Sequence, residues 1–242
     1  MAEGVDLQGK RVAALIPAAG SGQRMGGGIP KPFLQLRGRE ILARTLDVFE
    51  QCGVVDEVWV IVPEAHRMRC QKTVIERYGF QKVQGVVPGG ATRQESVWQG
   101  LQQLAGDVEL VIVHDGVRPF VSQHLLRETL QQARLVGAAI AAVPLKDTLK
   151  RVAETGEVVG TVPRDGLWRI QTPQAFRRHV LQAAYAYALA QGLEVTDEAG
   201  LVEAHGQQRI HVVPGLESNV KVTTPDDLIM CESLLDQLER DA

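Results

Sequence analysis

The segment richest in groups that could do chemistry is Pro17-Ala-Ala-Gly-Ser-Gly-Gln-Arg-Met-Gly26, with Lys31 shortly after it. Small residues at Ala18, Ala19, Gly20 and Gly22 let backbone N–H groups come close to an anion. Arg24 and Lys31 add two full positive charges to the same loop. A nucleoside triphosphate carries about four negative charges and calls for several donors and a metal ion, so the loop suits nucleotidyl transfer. Two other phosphate loops fail on spacing. No glycine is followed by Lys-Ser or Lys-Thr, as a Walker A loop requires, and Gly20, Gly22 and Gly26 run G-x-G-x-x-x-G rather than the dinucleotide G-x-G-x-x-G. A solvated glycine turn is the plain alternative, and the two cations weigh against it.

Other polar residues stand at the ends of apolar runs. Asp115 follows Leu110-Val-Ile-Val-His114 and sits either by a ligand or in a simple turn. His114 points away from Asp115 along the run and reads as structural. Lys221, between Val220 and Val222, alternates out of a short expected strand. Asp197 and Glu198 read as a helix start with no chemistry. Three cysteines far apart, with no CxxC pair, and six scattered histidines argue against a disulfide framework or a thiolate zinc site.

These groups need a scaffold, and the chain alternates β-rich and helical stretches in the rhythm of a doubly wound α/β fold. Residues 12–17, 58–62, 83–87, 110–114 and 138–143 read as strands of a mostly parallel twisted sheet. Strands 12–17 and 110–114 are apolar on both faces, as central parallel strands are. Residues 40–50, 64–78 and 177–191 read as helices. Thr92 with Glu95 makes a capping box before another, Ser122 caps the next, and Thr224-Pro225-Asp226-Asp227 starts the last. Residues 148–152 and 157–161 form a hairpin too poor in large apolar groups to bury much, and it reads as an arm reaching a partner. Residues 210–213 and 220–222 are the last expected strands. The organisation expected is one domain over 1–242 with an arm at about 146–164.

The 242 residues are 45% apolar and 23% charged, ordinary values for a folded chain. A net charge of −3 leaves no global cationic field for nucleic acid, so an anion must be held by a local cluster. No apolar run approaches membrane-spanning length and the N-terminus lacks a secretory core, so the expected location is cytoplasmic, with no membrane partner.

The loop P-A-A-G-S-G-x-R-M followed by P-K resembles that of nucleotidyltransferases acting on sugar and polyol phosphates. The closer resemblance is to the 2-C-methyl-D-erythritol 4-phosphate cytidylyltransferase family. It extends over residues 12–235 through Gly89-Gly-Ala-Thr-Arg-Gln-Glu-Ser96, His114-Asp-Gly-Val-Arg-Pro119, Leu167-Trp168 with Thr172-Pro-Gln-Ala-Phe176, Thr196-Asp-Glu-Ala199 and Asn219-Val-Lys-Val222. The resemblance implies CTP and a polyol phosphate as substrates, Mg²⁺ held mainly by the CTP phosphates, and a homodimer formed through the arm. It places Ala18, Ala19, Gly20 and Gly22 around the CTP phosphates and base, and Gly90, Arg93 and Ser96 at the cytosine. Asp115 would lie by the ribose and the metal-bound phosphates, and is the one residue expected to meet the metal itself. Arg24 and Lys31 would stabilise charge on the α-phosphate, and Lys221 would hold the incoming phosphate. Thr148 and Arg164 would reach the neighbour's site, while Thr172 and Thr196 count as substrate contacts. Gly116-Val117 stands where the family has two small alanines, and Pro32-Phe33 where it has Gln-Tyr. Ribitol 5-phosphate cytidylyltransferase shares most of these motifs, and a non-catalytic nucleotide sensor is the alternative of another class.

Overall fold

The computed structural model describes residues 11–20 and 30–241. In chain order the elements are β1 (Arg11–Pro17), a two-residue pair β2 (Gln35–Leu36) and β3 (Arg39–Glu40), α1 (Ile41–Gln51), β4 (Glu57–Val62), α2 (Arg67–Cys70), β5 (Val83–Pro88), α3 (Arg93–Leu101), β6 (Val108–Val113) and α4 (Gln123–Val136). There follow β7 (Ala138–Pro144), β8 (Leu149–Val152), β9 (Val158–Val162), β10 (Trp168–Arg177), α5 (Arg178–Gln191), α6 (Glu198–His205), β11 (His211–Pro214) and α7 (Pro225–Asp241).

Seven strands form one sheet in the order β11-β7-β10-β6-β1-β4-β5. β1 runs parallel to β4 and β6, β4 to β5, and β11 to β7; β10 alone runs antiparallel, between β6 and β7. Helices cover both faces, which explains why β1 is apolar throughout. Val12, Ala14 and Ile16 pack with Leu46 and Phe49 of α1 and Leu126 and Leu130 of α4. Ala13 and Leu15 point the other way, to Val97 and Leu101 of α3 and Leu181 and Tyr185 of α5. Burial of each such side chain contributes roughly 1.5–3 kcal/mol, and Leu15→Ala would cost about 2–5 kcal/mol.

Local chemistry sets the helix starts. The Thr92 hydroxyl accepts from the Glu95 N–H at 3.1 Å, and the Glu95 carboxylate reaches back to the Ala91 N–H at 2.7 Å, a capping box displaced by one residue. Ser122 accepts from Leu125 N–H at 3.1 Å. At α7, Thr224 accepts from Asp227 N–H at 3.3 Å, and the Asp227 carboxylate takes the N–H groups of Thr223 and Thr224 at 2.7 and 2.8 Å.

The structure departs from the expected elements in three places. The helix expected over 64–78 is a 3-10 turn (Glu64–His66), then α2, then a π-helical stretch (Gln71–Glu76). Residues 220–222 are not a strand. They are extended chain in which Val222 is buried beside Leu36 and Ile41 and donates its N–H to Val117 at 2.9 Å. β10 was not foreseen, because Pro173 breaks its run; its register shifts between Ile170 and Gln174, so the proline sits in an irregularity rather than in the ladder. The arm is as weakly anchored as its sequence implies: β8 is wholly exposed and β9 nearly so, and the two pair only with each other.

Candidate active site

The carboxyl ends of β1, β5 and β6 converge on a cavity of about 270 Å³, the place where open α/β sheets take ligands. Its lining includes Ala18, Ala19 and Gly20 after β1, Gly90 to Arg93 and Ser96 after β5, Asp115 and Val117 after β6, Lys31 and Pro32, and the segment Lys221–Thr223. Nine of the residues singled out in the sequence therefore meet: Ala18, Ala19, Gly20, Lys31, Gly90, Arg93, Ser96, Asp115 and Lys221. Gly22 and Arg24 lie outside the described residues.

Asp115 is the centre of the charge arrangement. It is 6% exposed. One oxygen is 3.4 Å from Arg93 Nε, and the other lies 2.9 Å from Lys221 Nζ and 3.4 Å from Arg118 Nε. Burial by itself would raise its carboxyl, but Arg93, Lys221 and Arg118 outweigh that and hold it well below the ordinary carboxylate range. Its N–H donates to Thr172 Oγ1 at 3.0 Å, which fixes the backbone at the strand end. Lys31 starts a short 3-10 turn (Lys31–Phe33) and donates from Nζ to the Thr223 carbonyl at 2.8 Å, two residues from Lys221. The two lysines thus reach the cavity over the same stretch of chain.

The glycine turn after β5 has steric reasons. A Cβ on Gly90 would lie 2.4 Å from the Glu95 Cβ, and one on Gly89 would lie 2.8 Å from both Ala19 Cβ and Ser96 Oγ. Ser96 is spent on bracing this turn: its hydroxyl donates to Thr92 O at 2.8 Å and accepts from Gly90 N–H at 3.1 Å. Similarly, Ala18 N–H is used by the Ile61 carbonyl at 2.7 Å, so it orders the loop.

Four expected residues do not line the cavity within this chain. Thr148 and Thr196 are exposed, and Arg164, also exposed, donates to the Lys146 carbonyl at the base of the arm. Thr172 is buried beneath the site, where it also contacts His114 Nδ1 at 3.1 Å. His114 is structural: fully buried, it donates from Nε2 to the Arg118 carbonyl at 3.1 Å, lies 5.4 Å from the Phe49 ring, and has its pKa pushed down by burial to about 4.

Two contributors were not recognised from the sequence. Glu198, 1% exposed at the start of α6, binds Arg93 Nη1 with both oxygens at 2.8 and 2.9 Å. Burial raises its carboxyl while Arg93 pulls the other way. The Tyr185 hydroxyl lies 3.3 Å from the same carboxylate. Arg118, buried, donates to Asn219 O at 2.7 Å and ties the β6 loop to the Lys221 segment. Both lay inside quoted motifs, but Glu198 read only as part of a helix start, and neither was given a role.

The arrangement suits an anionic substrate: four cations, Lys31, Arg93, Arg118 and Lys221, stand against two carboxylates, Asp115 and Glu198. Both Asp115 oxygens face cations, and the described residues contain no group of three His, Cys, Asp or Glu able to hold an ion.

Comparisons with known proteins bear on the family and the fold. A family model for 2-C-methyl-D-erythritol 4-phosphate cytidylyltransferase matches residues 12–237. The chain belongs to this family. The cytidylyltransferase of that name from Geotalea uraniireducens (strain Rf4) is 48% identical over 93% of this chain and 97% of its own length. That from Geobacter metallireducens is 47% identical with the same coverage. Among solved structures, the 4-diphosphocytidyl-2C-methyl-D-erythritol synthase of Anaerococcus prevotii superposes with a TM-score of 0.83 at 35% identity, covering 95% of this chain and 98% of that one. The Thermus thermophilus cytidylyltransferase gives 0.78 at 38% identity, covering 93% and 98%. Within this cytidylyltransferase fold, no helix among the described residues is long and apolar enough to cross a membrane.

Proposed function

We propose that the protein transfers a cytidylyl group from CTP to 2-C-methyl-D-erythritol 4-phosphate, giving 4-diphosphocytidyl-2-C-methyl-D-erythritol and pyrophosphate. The observation that carries the reading is the cationic cavity built around Asp115 in a chain of this family. A phosphate oxygen of the polyol attacks the α-phosphorus of CTP, and the bond from that phosphorus to the oxygen bridging the β-phosphate breaks. The nucleophile is already ionised at neutral pH, so the protein supplies alignment and charge neutralisation rather than a base. Lys31 lies where it can meet charge building on the α-phosphate, and Lys221 where it can hold the incoming phosphate; Arg24 shares the first role. Asp115 and Glu198 keep Lys221, Arg93 and Arg118 oriented before substrate arrives.

A magnesium ion would be held mainly by the CTP phosphates and would neutralise part of their charge, needing few protein ligands. Asp115, an acceptor for three cations, then serves to orient them and the ribose rather than to ligate the ion. Residues 146–164 form the arm through which two copies assemble, bringing Thr148 and Arg164 to the neighbour's cavity. The exposed Leu149, Val152, Val158 and Val159 give that arm apolar surface to bury. The reaction belongs in the cytoplasm, where CTP is made. Pyrophosphate release tests this reading: it should require both CTP and the polyol phosphate and fall steeply when UTP or ATP replaces CTP. Equal turnover with all nucleotides would remove the cytidylyl assignment.

A further inference from the structure

A second cavity lies at the opposite end of the sheet, with a volume of about 720 Å³. It is bounded by Val108 and Leu110 at the start of β6, Arg134 near the end of α4, Arg177 at the end of β10, and Arg178 and His179 in the first turn of α5. Asp115 stands beyond the far end of β6, roughly 20 Å away at the rise of a strand, so the two cavities share no residue.

Three features point to an anionic ligand. The lining carries three arginines and a histidine against one carboxylate, Glu109. Three buried side-chain polar atoms lack a protein partner among the described residues, and two of them, Arg134 Nη1 and Arg178 Nε, belong to this lining. Buried donors are almost always satisfied, so donors left over beside a cavity mark a place for an acceptor. In addition, the 14-residue α5 begins here with no side-chain cap and no acid in its first turn, so its positive end adds to the arginines. Two of the guanidinium groups are already held in place. Arg177 is fixed by the Arg134 and Leu135 carbonyls at 2.7 and 3.3 Å, and Arg178 by the Leu104 carbonyl at 2.9 Å, so half-buried guanidinium groups are held at the rim rather than free in solvent. The lining has no Phe, Tyr or Trp to stack a base, which favours a compact polyanion over a nucleoside.

We propose that this cavity binds a compact polyanion of phosphate chemistry, pyrophosphate or a phosphate monoester, through Arg134, Arg177, Arg178 and His179. This site is independent of the catalytic reading. Calorimetric titration with inorganic pyrophosphate in metal-free buffer tests it in a Lys31→Gln/Lys221→Gln variant, whose catalytic cavity is weakened. Binding is expected to persist there and to weaken on the order of tenfold or more when Arg134→Gln is added. Arg134→Gln keeps the backbone carbonyl that holds Arg177, and unchanged thermal unfolding confirms that the protein is intact. His179→Gln, at an exposed position, should weaken binding severalfold in the same direction. Loss of all binding in the lysine variant, or binding indifferent to both Arg134 and His179, overturns the proposal.

Discussion

Lys31 and Lys221 do different work although both reach one cavity. Lys221 is paired with Asp115 at 2.9 Å, while Lys31 donates to the Thr223 carbonyl at 2.8 Å and lines the cavity where phosphate charge would gather. Lys31→Ala should therefore lower kcat by about 10²-fold or more with a smaller change in KM for CTP; near-normal turnover would take Lys31 out of the mechanism. Glu198 acts one step back. Its removal as Glu198→Gln leaves the half-buried Arg93 with Asp115 as its one ionised partner, and should cost about 3 kcal/mol, read as a lower urea midpoint; an unchanged midpoint would show that Arg93 does not depend on it. Asp115 was legible as a charge ending an apolar run and Lys31 as a cation beside the glycine loop, while Lys221 came from the resemblance. Glu198 was not, because its partner is 105 residues away and its neighbours satisfy a helix start.

At the scale of elements, the parallel strands and the capped helices were legible from periodicity and from Thr92, Ser122 and Thr224. β10 was not, since Pro173 contradicts a central strand by every local rule and is tolerated through a register shift. The resemblance, not strand alternation, put Lys221 at the site; the strand expected over 220–222 is absent, and the segment is fixed by Val222 N–H to the Val117 carbonyl and by Arg118 to the Asn219 carbonyl. The arm carries a prediction of its own. An Arg164→Ala protein mixed with a Lys31→Ala protein should regain part of the lost activity once subunits exchange, because one site of the hybrid then holds both residues. Absence of recovery after verified exchange would confine Arg164 to its own chain, and a monomer in sedimentation would remove the arm's role altogether.

For the whole molecule, stability should follow two buried titrations. The folded pKa of His114 is depressed from 6.5 to about 4, so the unfolded chain binds the extra proton first as pH falls. Its contribution is complete above pH 6.5 and is lost toward pH 4, about 3 kcal/mol in all. Asp115, also depressed, adds stability that is present above the ordinary carboxylate range and is lost only as pH drops below it. Denaturant titrations across this range should show the fall beginning near pH 6.5, and His114→Gln should flatten its upper part; a flat profile from pH 7 to 4 in the parent protein would contradict the buried neutral imidazole.

The central claim, that the cationic cavity serves cytidylyl transfer to methylerythritol phosphate, is tested most directly by pyrophosphate release with CTP and Mg²⁺, offering that polyol phosphate and ribitol 5-phosphate in parallel. The account predicts rapid turnover with 2-C-methyl-D-erythritol 4-phosphate and little with ribitol 5-phosphate. Turnover with ribitol 5-phosphate alone, or with neither substrate in folded protein, would contradict it.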